Sequence, residues 1–137
     1  RYKEIALKSS PVLPHLRALQ SFSEQFSTRL FVAFIPKRGT VSDAYRIYEA
    51  EFSSSGAKES LMGPEYHLHS SLLRDACSKL EIPFADLTPV LRDAEDQGRR
   101  LFWSYDEHMN AAGYETVARE LFRLWAPEFE NRPLNER

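Results

Sequence analysis

The stretch Leu30-Phe31-Val32-Ala33-Phe34-Ile35, ended by Pro36, decides the fold class. An unbroken run of apolar residues of this length, rich in β-branched and aromatic side chains, predicts a strand that is buried on both faces. Strands of this kind belong to parallel sheets that are covered by helices. The run therefore predicts an α/β fold.

Helices are predicted before and after this strand in the chain, because apolar residues recur there at the spacings of three and four that one helix face requires. The predicted helices cover roughly 12 to 27, Val41 to Phe52, about 65 to 80, Pro89 to Asp96, and a last helix that begins near Ala111 and is stopped by Pro127. Thr88 and Asn110 are the predicted N-caps of the last two helices, and Gly98 is the predicted end of the helix before the last.

A second, shorter strand is predicted over Ile82 to Ala85, ending at Asp86. Two parallel strands cannot form the usual sheet of about four to six strands, and they leave open sheet edges. We therefore expect further strands upstream of this chain. On this interpretation residues 1–126 are the C-terminal part of one α/β domain, and 127–137 form a polar tail.

Composition excludes several classes of protein. The 137 residues include 20 acidic and 18 basic side chains, which are interspersed, so the basic surface that a nucleic-acid binder needs is not predicted. The longest apolar run is far shorter than the ~20 residues of a transmembrane helix. The single cysteine, Cys77, excludes an internal disulfide framework and is expected to be a buried thiol.

The segment Asp106-Glu107-His108-Met109-Asn110 carries the chemistry that the sequence offers, since it lies where a loop enters the last predicted helix. Open α/β sheets bind their ligands at such helix entrances. A carboxylate two residues before a histidine can accept the Nδ1–H bond of the imidazole and leave Nε2 free to take a proton. Asp106 and His108 are therefore the candidate acid–base half of a hydrolytic triad.

These residues also resemble a known family. The segment DEHMNAAG (106–113), leading into YETVARELFRLW (114–125), resembles the last motif block of the SGNH/GDSL hydrolases, in the branch that has Asp-x-His-x-Asn followed by glycine. Upstream, LFVAFIPKRGTVSDAYRIY (30–48) and EIPFADLTPVLRDAEDQGRRLFW (81–103) resemble further segments of the same branch. Similar sequences belong to proteins of bacterial exopolysaccharide O-acetylation, including the alginate acetylation proteins.

The resemblance implies a three-layer α/β/α fold with a parallel sheet, of which this chain has only the C-terminal half. It also implies a serine esterase or O-acetyltransferase that acts on acyl esters of a carbohydrate or polysaccharide, without a cofactor. His108 would be the general base and Asp106 would orient it, whereas the Gly-Asp-Ser motif of the nucleophile is absent from these residues. The family further implies an extracytoplasmic location, periplasmic or membrane-anchored, with the anchor upstream.

Three further residues are candidates for substrate binding. Asn110 is first of all a helix cap and secondarily a substrate contact. Lys37, together with Arg38, could neutralise an anionic group of the substrate, although a solvated loop is the simpler interpretation. Tyr105 and Trp103 flank the candidate site, where aromatic faces can stack on sugars, and core packing explains Trp103 equally well.

Alternatives to the triad remain open at this point. The chain could be a non-catalytic carbohydrate-binding or scaffold relative that lacks the nucleophile. His67 and His69, with Asp106 and His108, could ligate zinc or iron, but helix neighbours two apart point about 200° away from each other, so no metal is predicted. Ser42 is predicted to cap a helix rather than act as a nucleophile.

Overall fold

A computed structural model describes residues 12–45 and 66–130 of the chain. Its elements, in chain order, are α1 (Val12–Gln25), β1 (Val32–Phe34), α2 (Arg38–Val41), a 3₁₀ turn (Asp43–Tyr45), α3 (Tyr66–Lys79), β2 (Phe84–Asp86), α4 (Thr88–Asp96) and α5 (Ala111–Glu130). The described residues divide into two compact units, 12–35 with 66–86 and 36–45 with 87–130. Among the described helices, none has the length and apolar character that a membrane span requires.

The first unit contains the predicted parallel sheet. β1 pairs with β2 in parallel, with Val32 opposite Phe84 and Phe34 opposite Asp86. α3 contacts both strands and packs against α1. The sequence prediction of a strand from Leu30 to Ile35 is too long, since β1 spans Val32–Phe34, and its residues are half-buried rather than fully buried. Among the described residues of this unit, β1 and β2 are the strands of the sheet.

The core of the first unit forms where α1 meets α3. Leu16 on α1 and Ala76 and Cys77 on α3 are buried together with Ile82, which precedes β2. Cys77 has no exposed surface, and burial raises the pKa of its thiol. The prediction of a buried thiol is confirmed.

Three predicted helix boundaries are wrong. The start of the helix predicted over Val41 to Phe52 is wrong, because α2 ends at Val41, the backbone of Ser42 is extended, and a 3₁₀ turn follows over Asp43–Tyr45; residues 46–52 lie outside the described part. α4 begins one residue before the predicted start at Pro89. Thr88 therefore lies inside the helix, and Leu87 precedes it without a side-chain cap. Pro127 lies inside α5 rather than ending it. Its ring faces solvent, where water can satisfy the carbonyl that loses its N–H partner.

The second unit is built on α4. This helix contacts α2 and α5. Leu91 on α4, Leu87 before it and Leu101 after it have no exposed surface. Gly98 ends the turn after α4, as predicted, with a positive φ of 83°. The mixed α/β class is thus confirmed in a mostly helical form with a small parallel sheet, while the three-layer arrangement remains a prediction.

Candidate active site

The candidate catalytic segment is a closed hairpin that leads into α5. Phe102 and Met109 form an isolated antiparallel bridge. The Trp103 N–H donates to the His108 carbonyl at 3.2 Å, and the Asn110 N–H donates to the Leu101 carbonyl at 2.9 Å. These bonds fix both ends of the loop that carries Asp106 and His108.

Asn110 joins this hairpin to α5. Its Oδ1 accepts the Gly113 N–H at 3.1 Å, and its Nδ2 donates to the Arg100 carbonyl at 2.7 Å. The predicted N-cap is therefore confirmed. Its role in substrate binding stays a prediction, since both ends of the amide already have partners within the protein.

Gly113 lies where α5 and the hairpin approach most closely. A Cβ at this position would lie 2.3 Å from the Leu101 carbonyl oxygen and 2.9 Å from the Met109 Cβ. The sequence indicates such an approach, since glycine in the first turn of a helix costs ~1 kcal/mol against alanine. Only a residue without a side chain lets α5 begin against the hairpin in this way.

Asp106 and His108 form the predicted contact. The Oδ1 atom of Asp106 accepts the backbone N–H of His108 at 2.7 Å and also bonds Nδ1 of the His108 imidazole. The side chains are 42% and 78% exposed, respectively. The backbone N–H of His108, and after it the imidazole, lower the pKa of Asp106. A carboxylate beside Nδ1 favours the neutral tautomer with its proton on Nδ1, so Nε2 is the acceptor that a substrate can reach.

Arg38 holds the inside of the hairpin loop. The residue is only 5% exposed, and its Nη1 donates to the carbonyls of Trp103 at 3.0 Å, Ser104 at 3.3 Å and Asp106 at 2.9 Å. The interpretation of Lys37 and Arg38 as a solvated loop is therefore wrong for Arg38. Lys37 is exposed, and its role as a substrate-binding residue stays a prediction.

A buried acid–phenol pair supports the base of the hairpin. Glu95 accepts the Leu101 N–H at 2.6 Å and the hydroxyl of Tyr45, and this hydroxyl accepts the Phe102 N–H at 3.2 Å. Burial, and after it the bond to Glu95, raise the pKa of Tyr45. Sequence analysis missed Glu95, although a signal existed, because the residue lies four positions after Leu91 on the apolar face of its helix.

Two exposed aromatic rings lie on the same loop. Trp103 and Tyr105 are 47% and 79% exposed, and their rings stack with centroids 5.9 Å apart and 29° between planes. Beside Trp103 is an open cleft of about 400 Å³. Residues that line it are Tyr45, Arg100, Phe102, Trp103, Ser104 and Asn110. Tyr105 is thus displayed for contact, and its role in substrate binding stays a prediction.

The alternative metal site has no support within the described residues. There, no group of three or more His, Cys, Asp or Glu side chains is arranged to hold a metal ion. His69 is exposed on α3, and the side chain of His67 lies outside the described part.

Comparisons with known proteins yield no relative for this chain. No family model, no curated protein and no solved structure matches it.

Proposed function

We propose that the second unit supplies the Asp-His half of a Ser-His-Asp triad in an esterase or O-acetyltransferase of the SGNH/GDSL type. The observation that carries this proposal is the Asp106–His108 contact. In it the imidazole is oriented through Nδ1 by a carboxylate while 78% of the side chain is exposed. This exposure lets a serine hydroxyl approach the ring.

The chemistry follows from the two ring nitrogens. Nε2 takes the proton of a serine hydroxyl as its oxygen attacks the acyl carbonyl, and Asp106 stabilises the imidazolium that forms. The imidazolium then returns this proton to the leaving alcohol, which leaves an acyl-serine. Water or a sugar hydroxyl next attacks the acyl-serine, and His108 takes the proton of this acceptor and passes it to the serine oxygen, which leaves as the free hydroxyl.

The proposal places the serine on polypeptide outside these 137 residues, because no Gly-Asp-Ser motif occurs among them. The chain is then the C-terminal half of a three-layer α/β/α domain, and the other half supplies further strands to its small sheet. The proposed substrates are acyl esters of a carbohydrate or polysaccharide, and the proposed location is extracytoplasmic.

The test is ester turnover by the full-length protein. In His108→Ala the rate of acetyl release from a chromogenic acetyl ester and from an acetylated polysaccharide should fall on the order of 10⁴-fold, because the general base is lost. His15→Ala is the matched control, since it removes an exposed imidazole from α1 in the first unit, and should leave the rate unchanged.

Thermal unfolding of both variants checks that the fold survives. Turnover by His108→Ala at the wild-type rate, with an intact fold, would remove the proposed role of His108.

A second candidate function, non-catalytic carbohydrate binding, rests on the exposed stacked rings of Trp103 and Tyr105. It predicts that the protein binds a polysaccharide without turning it over. Calorimetric titration with the polysaccharide should then show binding that Tyr105→Ala weakens and His108→Ala does not. Turnover that depends on His108 would decide against this candidate.

A further inference from the structure

We propose that Arg38 is a positioning residue, which holds the backbone at Asp106 so that the carboxylate reaches the His108 imidazole. Nη1 of Arg38 reaches the backbone of the loop, including the carbonyl of Asp106 itself. It acts on the loop from inside, through three carbonyl groups.

The three carbonyls converge on a single nitrogen. Residues Trp103, Ser104 and Asp106 all direct their carbonyl oxygens toward Nη1 of Arg38, at 2.9 to 3.3 Å. Carbonyl dipoles gathered in this way repel one another unless a cation or donor lies between them. Because Arg38 is only 5% exposed, water competes poorly for these bonds.

The bond to the Asp106 carbonyl connects Arg38 to the site. Fixing the peptide group that follows the Asp106 Cα also fixes the next N–H, which belongs to Glu107, and limits the rotation of the Asp106 backbone. The carboxylate of Asp106 must reach two groups of His108 at once, its backbone N–H and its Nδ1. Small backbone rotations in an exposed loop would break this double contact, since water can replace each partner.

The electrostatic contribution of Arg38 is the smaller part of its role. Its charge helps to lower the pKa of Asp106, but less than either hydrogen bond from His108 does. Arg38 lies on α2, and this helix is bonded to α4. Nε of Arg92 on α4 donates to the carbonyl of Thr40 on α2 at 2.8 Å. The effect of Arg38 on Asp106 is therefore mainly geometric.

The test compares Arg38→Met with wild type by nitrogen NMR of the His108 ring and by hydrogen exchange of the His108 amide, in the full-length protein. Wild type should show the Nδ1–H tautomer and a protected amide. Arg38→Met should show a mixture of tautomers and exchange that is about 10-fold faster or more, because loop opening is no longer opposed by a buried hydrogen-bond donor. The control is Arg119→Met, which removes an exposed guanidinium paired with Glu115 on α5 and should change neither quantity.

The catalytic consequence rests on the proposed function and is measured separately in the full-length protein. There Arg38→Met should lower kcat on the order of 100-fold with little change in KM, since misplacing a catalytic pair by about 1 Å has this effect. If Arg38→Met changes the tautomer but the wild-type protein itself turns over no ester, the proposed function is removed and the role of Arg38 stands. Turnover that depends on His108 but is unchanged in Arg38→Met would remove the role of Arg38 and leave the function standing.

Arg38→Lys keeps the test decisive if Arg38→Met does not fold. Lysine retains the charge, but its shorter side chain reaches fewer of the three carbonyls, so the exchange rate should be intermediate. A folded Arg38→Met, or failing that Arg38→Lys, with the wild-type tautomer and wild-type exchange overturns the inference.

Discussion

Two carboxylates of the second unit make the same kind of bonds in opposite surroundings. Glu95 accepts the backbone N–H of Leu101 and the hydroxyl of Tyr45, and the residue is 8% exposed. Asp106 accepts the backbone N–H of His108 and bonds its ring Nδ1, with 42% of its side chain exposed. Each carboxylate thus joins one peptide N–H to a side chain, and Glu95 also forms an ion pair with Arg100 at 3.7 Å.

The difference in burial gives the two pairs different roles. Water cannot replace a lost partner around Glu95, so this pair stabilises the base of the hairpin. Water can replace the partners of Asp106, so that pair contributes little to stability but leaves Nε2 of His108 accessible. The comparison indicates that buried groups hold the hairpin together, whereas the proposed catalytic pair is exposed on its loop.

The largest effect on stability is expected for Glu95→Ala. It leaves the Leu101 N–H and the Tyr45 hydroxyl buried without their acceptor, which should lower the free energy of unfolding by about 3 kcal/mol. Urea unfolding followed by circular dichroism measures this loss. Glu95→Gln is the control, since it keeps an oxygen for Leu101, and should lose clearly less. Equal losses in both variants would mean that the charge, and not the acceptor geometry, matters.

A smaller loss is expected for Gly113→Ala. The added methyl group meets the Leu101 carbonyl, and the strain should outweigh the gain in helix propensity, with a net destabilisation of about 1–3 kcal/mol in urea unfolding. Gly98→Ala is the control for backbone strain without a steric clash. Its φ is positive, but nothing lies within 4 Å of an added Cβ. A more stable Gly113→Ala variant would contradict the close approach of α5 to the hairpin.

The smallest effect concerns the titration of Asp106. In His108→Ala the pKa of Asp106 should rise only part of the way to its ordinary value, because the backbone N–H at position 108 remains and is the largest cause of the lowering. Carbon NMR of the carboxyl groups over a pH series measures it. Glu115, whose pKa is lowered by Arg119, is the internal control and should not change.

The sign of the linked pH effect follows from the direction of this pKa shift. Since folding lowers the pKa of Asp106, its contribution to stability is present above the unfolded-state pKa and is lost as pH falls through the folded-state value. In His108→Ala the loss of stability at acid pH that is due to Asp106 should therefore be smaller, but still present. Complete return of the pKa to its ordinary value would show that the imidazole, rather than the backbone, holds the carboxylate.

Local patterns predicted the elements whose signals lie within a few residues. The helical spacing around Leu16 and the cap at Asn110 depend on neighbouring residues, and both predictions are confirmed. The contact of Asp106 with His108 was predicted for the same reason, since it spans only two residues. The helix start expected at Val41 and the helix end expected at Pro127 are wrong, because the backbone of Ser42 and the exposure of Pro127 depend on surroundings that periodicity does not encode.

By itself the amino-acid sequence determined which residues could form helices and strands, which thiol would be buried, and which acid and imidazole would meet. Only the tertiary structure decided that Arg38, 65 residues before Trp103, would turn inward to hold the loop, and that Glu95 would be buried beneath it. The physical reason is the range of the interactions. A contact between near neighbours follows from chain geometry, whereas a buried charge is stable only where distant backbone groups converge on it.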